Sequence, residues 1–245
     1  MEELLSNTQT SFDDISESYE RICEDIKKAM AEAGRTDEVR LMAVTKTVSP
    51  ERINHAISLG VELLGENRVQ EFLDKRDSYA PAEVHFIGGL QTNKVKYIID
   101  KVTMIHSVDS IRLAQEISRR AGQHGLVMDI LVEVNIGDEA TKGGISAQSV
   151  RDFCSEVLAL PNIRLRGLMT IPPPGCSEEI FAEMQKIFID IRDNGAENIN
   201  STNFLFDTLS MGMSGDYTAA IRYGSTIIRV GSGLFGYRKY KNLES

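Results

Sequence analysis

Short continuous apolar runs alternate with longer amphipathic segments along this chain, and that alternation limits the fold more than any other feature. The run Val39-Arg40-Leu41-Met42-Ala43-Val44-Thr45-Lys46 lacks the period-two polarity of a half-exposed strand. It reads as a strand covered on both faces, as in a parallel sheet. Further strands are predicted at Leu63–Gly65, Glu83–Ile87, Met104–Ser107, Met128–Val134, Ile163–Leu168, Phe204–Leu209 and Ile227–Val230. Between them, helices are predicted to begin near Pro50, Arg68, Lys94, Ser110, Ala147, Ser177 and Gly215, after an N-terminal helix over Ser11–Ala33. Ser49 before Pro50 and Glu51 supplies an N-cap with proline in the first turn. Eight strands alternating with helices in 245 residues predict a single-domain α/β fold, the (β/α)8 TIM barrel. A doubly wound open sheet shares the alternation and is the structural rival; the count of eight favours closure. No linker, repeat or low-complexity stretch interrupts the pattern, so residues 1–245 read as one domain, with 1–36 as a covering helix.

The formal charge is 27 − 36 = −9, which argues against nucleic acid or an anionic membrane surface as partner. Cys23, Cys154 and Cys176 lie far apart, with no CxxC or Cys/His cluster, so neither a zinc site nor a disulfide framework is expected. The N-terminus has no basic region followed by an apolar core, and no apolar run approaches the ~20 residues that span a bilayer. The expected location is the cytoplasm.

Lys46 ends a buried-looking run, and an ammonium at a barrel mouth either reaches solvent or loses hydration. Desolvation lowers a lysine pKa and suits it to Schiff-base chemistry with a carbonyl compound. The plain alternative is a rim lysine in a surface ion pair. The far end of the chain favours the chemical reading. In a barrel of this kind the loops after strands seven and eight often bind phosphate. Here they read Ser210-Met211-Gly212-Met213-Ser214-Gly215-Asp216 and Arg229-Val230-Gly231-Ser232-Gly233-Leu234-Phe235-Gly236. Glycines let backbone approach an anion and seryl hydroxyls donate to it. Gly231, Gly233 and Gly236 match GxGxxG, yet the chain ends nine residues later, leaving no room for a dinucleotide fold. A lysine facing a phosphate cradle requires a ligand with both an aldehyde and a phosphate, and pyridoxal 5′-phosphate (PLP) has both. Arg229 would then stand beside the pyridine nitrogen and disfavour its protonation; its plain alternative is an interior ion pair.

Ala43-Val44-Thr45-Lys46-Thr47, Gly65-Glu66-Asn67-Arg68-Val69-Gln70-Glu71, His85-Phe86-Ile87-Gly88-Gly89-Leu90-Gln91-Thr92-Asn93-Lys94, Leu209-Ser210-Met211-Gly212-Met213-Ser214 and Arg229–Gly236 together carry a resemblance. In order and over about Val39 to Gly236, the chain resembles the pyridoxal phosphate homeostasis protein family, PLP-binding barrels similar to the alanine racemase N-terminal domain. The resemblance implies PLP held as an aldimine on Lys46, phosphate contacts from Ser210, Gly231 and Ser232, and Arg229 at the ring nitrogen. It places Asn67 near the ring and His85 and Met169 more loosely along the pocket. The sequence departs from the family where a tryptophan usually stands, at Val84, and at Gly89, often His or Pro, which bears on the shape of that loop.

Other polar groups have plainer readings. His85 suits a hydrogen bond within the barrel. Ser107-Val108-Asp109-Ser110 after His106 reads as a helix cap. Asn135–Ile145 reads as a solvated loop, Met211 and Met213 as packing residues, and Glu66 has no assigned role. Racemization on this barrel needs a second base, which alanine racemases draw from a separate domain. Tyr217, Tyr223, Tyr237 and Tyr240 offer no evident substitute. The expected function is therefore that of a monomeric PLP-binding protein and not an enzyme; the resemblance implies a role in intracellular PLP (vitamin B6) homeostasis, with PLP-dependent apoenzymes as candidate recipients. A PLP-dependent racemase or decarboxylase is the alternative, and a cofactor-free Schiff-base aldolase a third.

Overall fold

The computed structural model describes residues 12–137, 143–173, 175, 177–194 and 203–236. The strands are β1 (Arg40–Val44), β2 (Leu63–Glu66), β3 (Glu83–Phe86), β4 (Met104–Val108), β5 (Met128–Asn135), β6 (Ile145–Ser146), β7 (Ile163–Met169), β8 (Phe204–Ser210) and β9 (Ile227–Val230). The helices are α1 (Asp13–Glu32), α2 (Pro50–Ser58), α3 (Val69–Lys75), α4 (Val95–Ile98), α5 (Ile111–Gln123), α6 (Val150–Leu158), α7 (Ser177–Asn194), α8 (Tyr217–Arg222) and α9 (Ser232–Phe235). All strand pairings are parallel, and β4–β5 pairing closes the order β4-β3-β2-β1-β9-β8-β7-β5 into an eight-stranded barrel. The predicted (β/α)8 architecture is thus the one observed, and the open-sheet rival falls because both ends of the order are joined.

The helices cover the barrel with narrow apolar stripes. On α5, Leu113, Ala114, Ile117 and Ala121 are buried, at the i, i+3/i+4 spacing that keeps one face inward. The largest core clusters lie between strands and helices, while the barrel interior holds two small apolar groups, Met42-Leu63-Ile227 and Met104-Leu131-Met169. Helix α1 does more than cap an end. Ile15, Ile22, Ile26 and Ala29 pack with Ile53 and Ala56 of α2, Tyr217 and Ile221 of α8 and Leu234 of α9. Among the described residues only the four-residue α9 follows β9, and α1 supplies outer cover for that unit.

Three boundaries differ from expectation. The first strand ends at Val44, two residues before Lys46, because the chain turns at Thr47, whose φ is 61°. Ile145–Ser146 pair with Val134 and Asn135 as a short strand instead of continuing a solvated loop. Ser107 is no helix cap: its hydroxyl donates to the Gly88 carbonyl at 2.6 Å, and Ser110 stands at the start of α5 without a side-chain cap bond. Ser49 likewise precedes Pro50 without one. Residues 138–142 of the predicted loop, Cys176, Tyr237 and Tyr240 lie outside the described residues. Among the described residues no helix is long and apolar enough to cross a membrane, and no His/Cys/Asp/Glu cluster could hold a metal.

Candidate functional site at the carboxyl ends of the strands

Parallel strands put every carboxyl end at one rim, and six predicted site residues arrive there. Lys46 lies two residues past β1, Asn67 directly after β2, Ser210 at the end of β8, Arg229 within β9, and Gly231 and Ser232 directly after it. Met42 pairs with both Leu63 and Arg229, and Val44 with Gly65, so β2, β1 and β9 bring Asn67, Lys46 and Arg229 to adjacent sectors of the mouth. Met169 pairs with Ser210 across β7–β8 and is buried with Met104 and Leu131.

Lys46 is half-buried, and the loop that carries it is gripped from outside by α3. The Lys75 ammonium donates to the carbonyls of Thr45 at 3.0 Å and Val48 at 3.1 Å, and to Glu71 at 2.7 Å. Below the loop, Thr45 Oγ1 donates to Glu66 Oε1 at 2.6 Å and the Tyr79 hydroxyl to the same oxygen at 2.5 Å. Glu66 is fully buried, and burial raises its carboxyl above the ordinary range against the pull of those two hydroxyls. Its role is to hold the base of the lysine loop.

Arg229 is buried, and burial pushes its guanidinium down to about 10, so it stays charged near neutrality. It donates to Ser210 Oγ at 2.8 Å and to the Thr170 carbonyl at 2.8 Å, while Glu133 and Asp216 act on it through space. Ser210 Oγ in turn lies 3.1 Å from His106 Nδ1, His106 Nε2 lies 2.9 Å from His85 Nδ1, and His85 Nε2 lies 2.8 Å from Glu83 Oε1. Burial holds both imidazoles below their ordinary value, His106 well below. Arg229 is therefore no simple interior ion pair.

The two glycine-rich loops meet at a side chain not chosen from sequence. The amides of Gly231 and Gly233 both donate to Ser214 Oγ, at 3.3 and 3.0 Å. Ser214 marks where an anion's oxygen could accept from the same amides. Opposite, a Cβ on Gly88 would fall 2.2 Å from the Asn67 carbonyl oxygen, so only glycine lets the β2 and β3 exits approach so closely. Asn67 Oδ1 is buried with no hydrogen-bond partner among the described residues, an acceptor awaiting a donor. A group with an aldehyde, an aromatic nitrogen, a ring hydroxyl and a phosphate fits this set. Lys46 would meet the aldehyde, Arg229 the nitrogen, Asn67 the hydroxyl, and the Gly231 and Gly233 amides with Ser214 and Ser232 would meet the phosphate.

A family model described as the N-terminal domain of alanine racemase matches residues 18–239. A protein of Aquifex aeolicus (strain VF5) named pyridoxal phosphate homeostasis protein is 44% identical over 227 residues, covering 91% of this chain and 98% of its own. The chain belongs to the pyridoxal phosphate homeostasis protein family. Among solved structures, an unknown protein from Bifidobacterium adolescentis superposes with a TM-score of 0.83 at 35% identity, covering 91% of this chain and 94% of that one. PipY of Synechococcus elongatus PCC7942, with PLP bound, gives 0.74 at 29% identity, covering 89% of this chain and 100% of that one. Family membership accounts for the ordered motifs from β1 to β9. It leaves unexplained why two buried histidines and a distant carboxylate stand in series behind Arg229.

Proposed function

We propose that this chain binds pyridoxal 5′-phosphate on Lys46 and serves intracellular PLP homeostasis as a carrier, the whole chain acting as one cytoplasmic, monomeric domain. The observation that carries the reading is convergence at one rim: a lysine on a clamped loop, a buried arginine, and two glycine amides aimed at one oxygen position. Bound there, PLP would supply an electrophilic aldehyde, and Lys46 would hold it through its amine. Arg229, which keeps its own charge, opposes protonation of the ring nitrogen and so weakens the ring as an electron sink. Tyr217 supports a carrier over a racemase. Its hydroxyl is spent on Asp25 of α1 in the outer layer, so it is not poised as a second base. PLP-dependent apoenzymes are the recipients in this reading.

The test is spectroscopic and chemical. The chain soaked in PLP is expected to turn yellow, to bleach on borohydride reduction, and to carry the reduced cofactor on Lys46 by peptide mass. Lys46→Ala is expected to stay colourless. A colourless wild-type chain defeats the proposal, and steady turnover of an amino acid by the pure loaded protein defeats its carrier part. Mixing loaded protein with an apoenzyme and a trap for free PLP reads the transfer: activation despite the trap means direct hand-over.

A further inference from the structure

Glu83 and Arg229 stand at opposite ends of the barrel, yet one unbroken chain of hydrogen bonds joins them. Glu83 opens β3 at the amino-terminal rim, where it also pairs with Arg40 and accepts from Thr103. Ser210 closes β8 at the carboxyl rim. Between them stand His85, paired across the sheet with Gly65 and Met104, and His106, two residues further along β4. Both imidazoles are completely buried.

The ends of this chain fix the direction of every bond within it. Arg229 can only donate, so Ser210 Oγ accepts from it. Glu83, held ionised by His85 and Arg40, can only accept, so His85 Nε2 carries the proton. His85 is neutral, its Nδ1 must accept, and His106 Nε2 therefore donates. His106 Nδ1 is then an acceptor, and the Ser210 hydroxyl gives it its single hydrogen. Only this arrangement satisfies all four contacts with neutral rings. A contact from the Ser210 hydroxyl to a phosphate would require it to leave His106.

We propose that His85 and His106 are positioning residues: a one-way relay ending on Glu83 fixes the Ser210 hydroxyl, and through it aims Arg229 at the cofactor ring. The proposal rests on the PLP reading above for its link to the ring, though the relay itself belongs to the chain alone. A buried pair placed only for packing would have no need of a defined direction. The groups facing His85 are Glu83, Arg40, Asp129 and His106; those facing His106 are His85, Ser210, Arg229 and Arg40. The Arg40 and Arg229 charges, together with burial, keep His106 neutral.

The relay is read first on the full chain without added cofactor, by nitrogen-15 NMR of the four histidines. Two are expected to be Nε2–H tautomers that do not titrate between about pH 5 and about 8. In Glu83→Gln, whose amide can donate as well as accept, the His106 tautomer is expected to become mixed, one histidine removed from the change. Nδ1–H tautomers, or ordinary titration of both rings, overturn the relay. With PLP, Glu83→Gln and His106→Phe are expected to bind about 10-fold more weakly, the equivalent of one lost hydrogen bond. His106→Gln, which can accept from Ser210 and donate to His85, is expected to recover most of that loss. Glu83 lies at the partly exposed far rim, so its variant folds even if His106→Phe does not. Wild-type affinity in Glu83→Gln, with Lys46 still labelled by borohydride, overturns the positioning role. Absence of that label in the wild-type chain overturns the PLP reading instead, while the tautomers still decide the relay.

Discussion

The backbone amide of Thr47 donates to the Glu71 carboxylate, tying the residue after Lys46 to the middle of α3. Thr47 is the one non-glycine among the described residues with a positive φ, at 61°, where a β-branched side chain is strained. That conformation persists because Glu71 and Lys75 hold the turn from both sides. Removing the carboxylate in Glu71→Ala strips the Thr47 amide of its acceptor and Lys75 of its counter-ion. We expect a loss of about 2 kcal/mol in urea unfolding and weaker PLP binding by titration. Thr47→Gly is expected to leave stability unchanged or higher, since glycine relieves the strain. Wild-type affinity in Glu71→Ala would show that the clamp does not orient Lys46.

The anion cradle gives a second expectation. Ser214 Oγ accepts from two glycine amides and keeps its own hydrogen to give; Ser232 is exposed at the start of α9. Neither hydroxyl lies in the apolar core, so Ser232→Ala should fold normally, while Ser214→Ala also strips the Gly231 and Gly233 amides of their acceptor and should lose some stability. Each is expected to weaken PLP retention by about 1.5–3 kcal/mol, the range for hydrogen bonds to charged groups. Unchanged affinity in both would put the phosphate elsewhere.

Much of this arrangement was legible from residue order, and the reason is physical. A short continuous apolar run such as Leu41–Val44 reads as a doubly covered strand, and eight such strands fit a closed barrel. Residues at strand exits, Lys46, Asn67, Gly231 and Ser232, are visible because that fold reserves its carboxyl rim for chemistry. What could not be read depends on register. His85 and His106 lie 21 positions apart in the chain and become neighbours only because β3 and β4 pair His85 with Met104. Glu71 and Lys75, four apart on a helix, look like any solvated ion pair. Their hold on the Lys46 loop follows from how α3 lies against the turn after β1. Ser214 was in plain view within a glycine-rich loop, yet nothing in the order of residues distinguished it from Ser210.

Glu66 makes stability depend on pH in an unusual direction for a carboxylate. Burial raises its folded pKa above the ordinary glutamate value, with Thr45 and Tyr79 opposing. Below the unfolded value the group is protonated in both states and contributes no pH dependence. As pH rises from the unfolded value to the raised folded one, the unfolded chain ionises first and stability falls; above that window the cost is constant. Glu66→Gln removes the ionisation while its amide oxygen still accepts from both hydroxyls. The stability difference between variant and wild type, taken from urea midpoints, should therefore move in favour of the variant as pH climbs through that window. A difference independent of pH would mean that Glu66 ionises as readily in the folded protein as outside it.

The amino-terminal rim should behave in the opposite sense to the mouth. Asp129 receives Arg164 Nε and Arg166 Nη1, both at 2.6 Å, and Arg166 also binds Asp207 at 2.8 Å. These charges close the end of the barrel away from Lys46, where side chains support the fold and do not meet a ligand. Asp129 is largely buried, so Asp129→Ala leaves two guanidinium groups without their shared acceptor. We expect a loss of about 3 kcal/mol, the lower range for breaking a buried pair, with PLP affinity within about twofold of wild type. Ser232→Ala at the cradle should show the reverse, intact stability and weakened binding. If Asp129→Ala also weakened PLP binding, the amino-terminal rim would act on the mouth through more than the Glu83 relay.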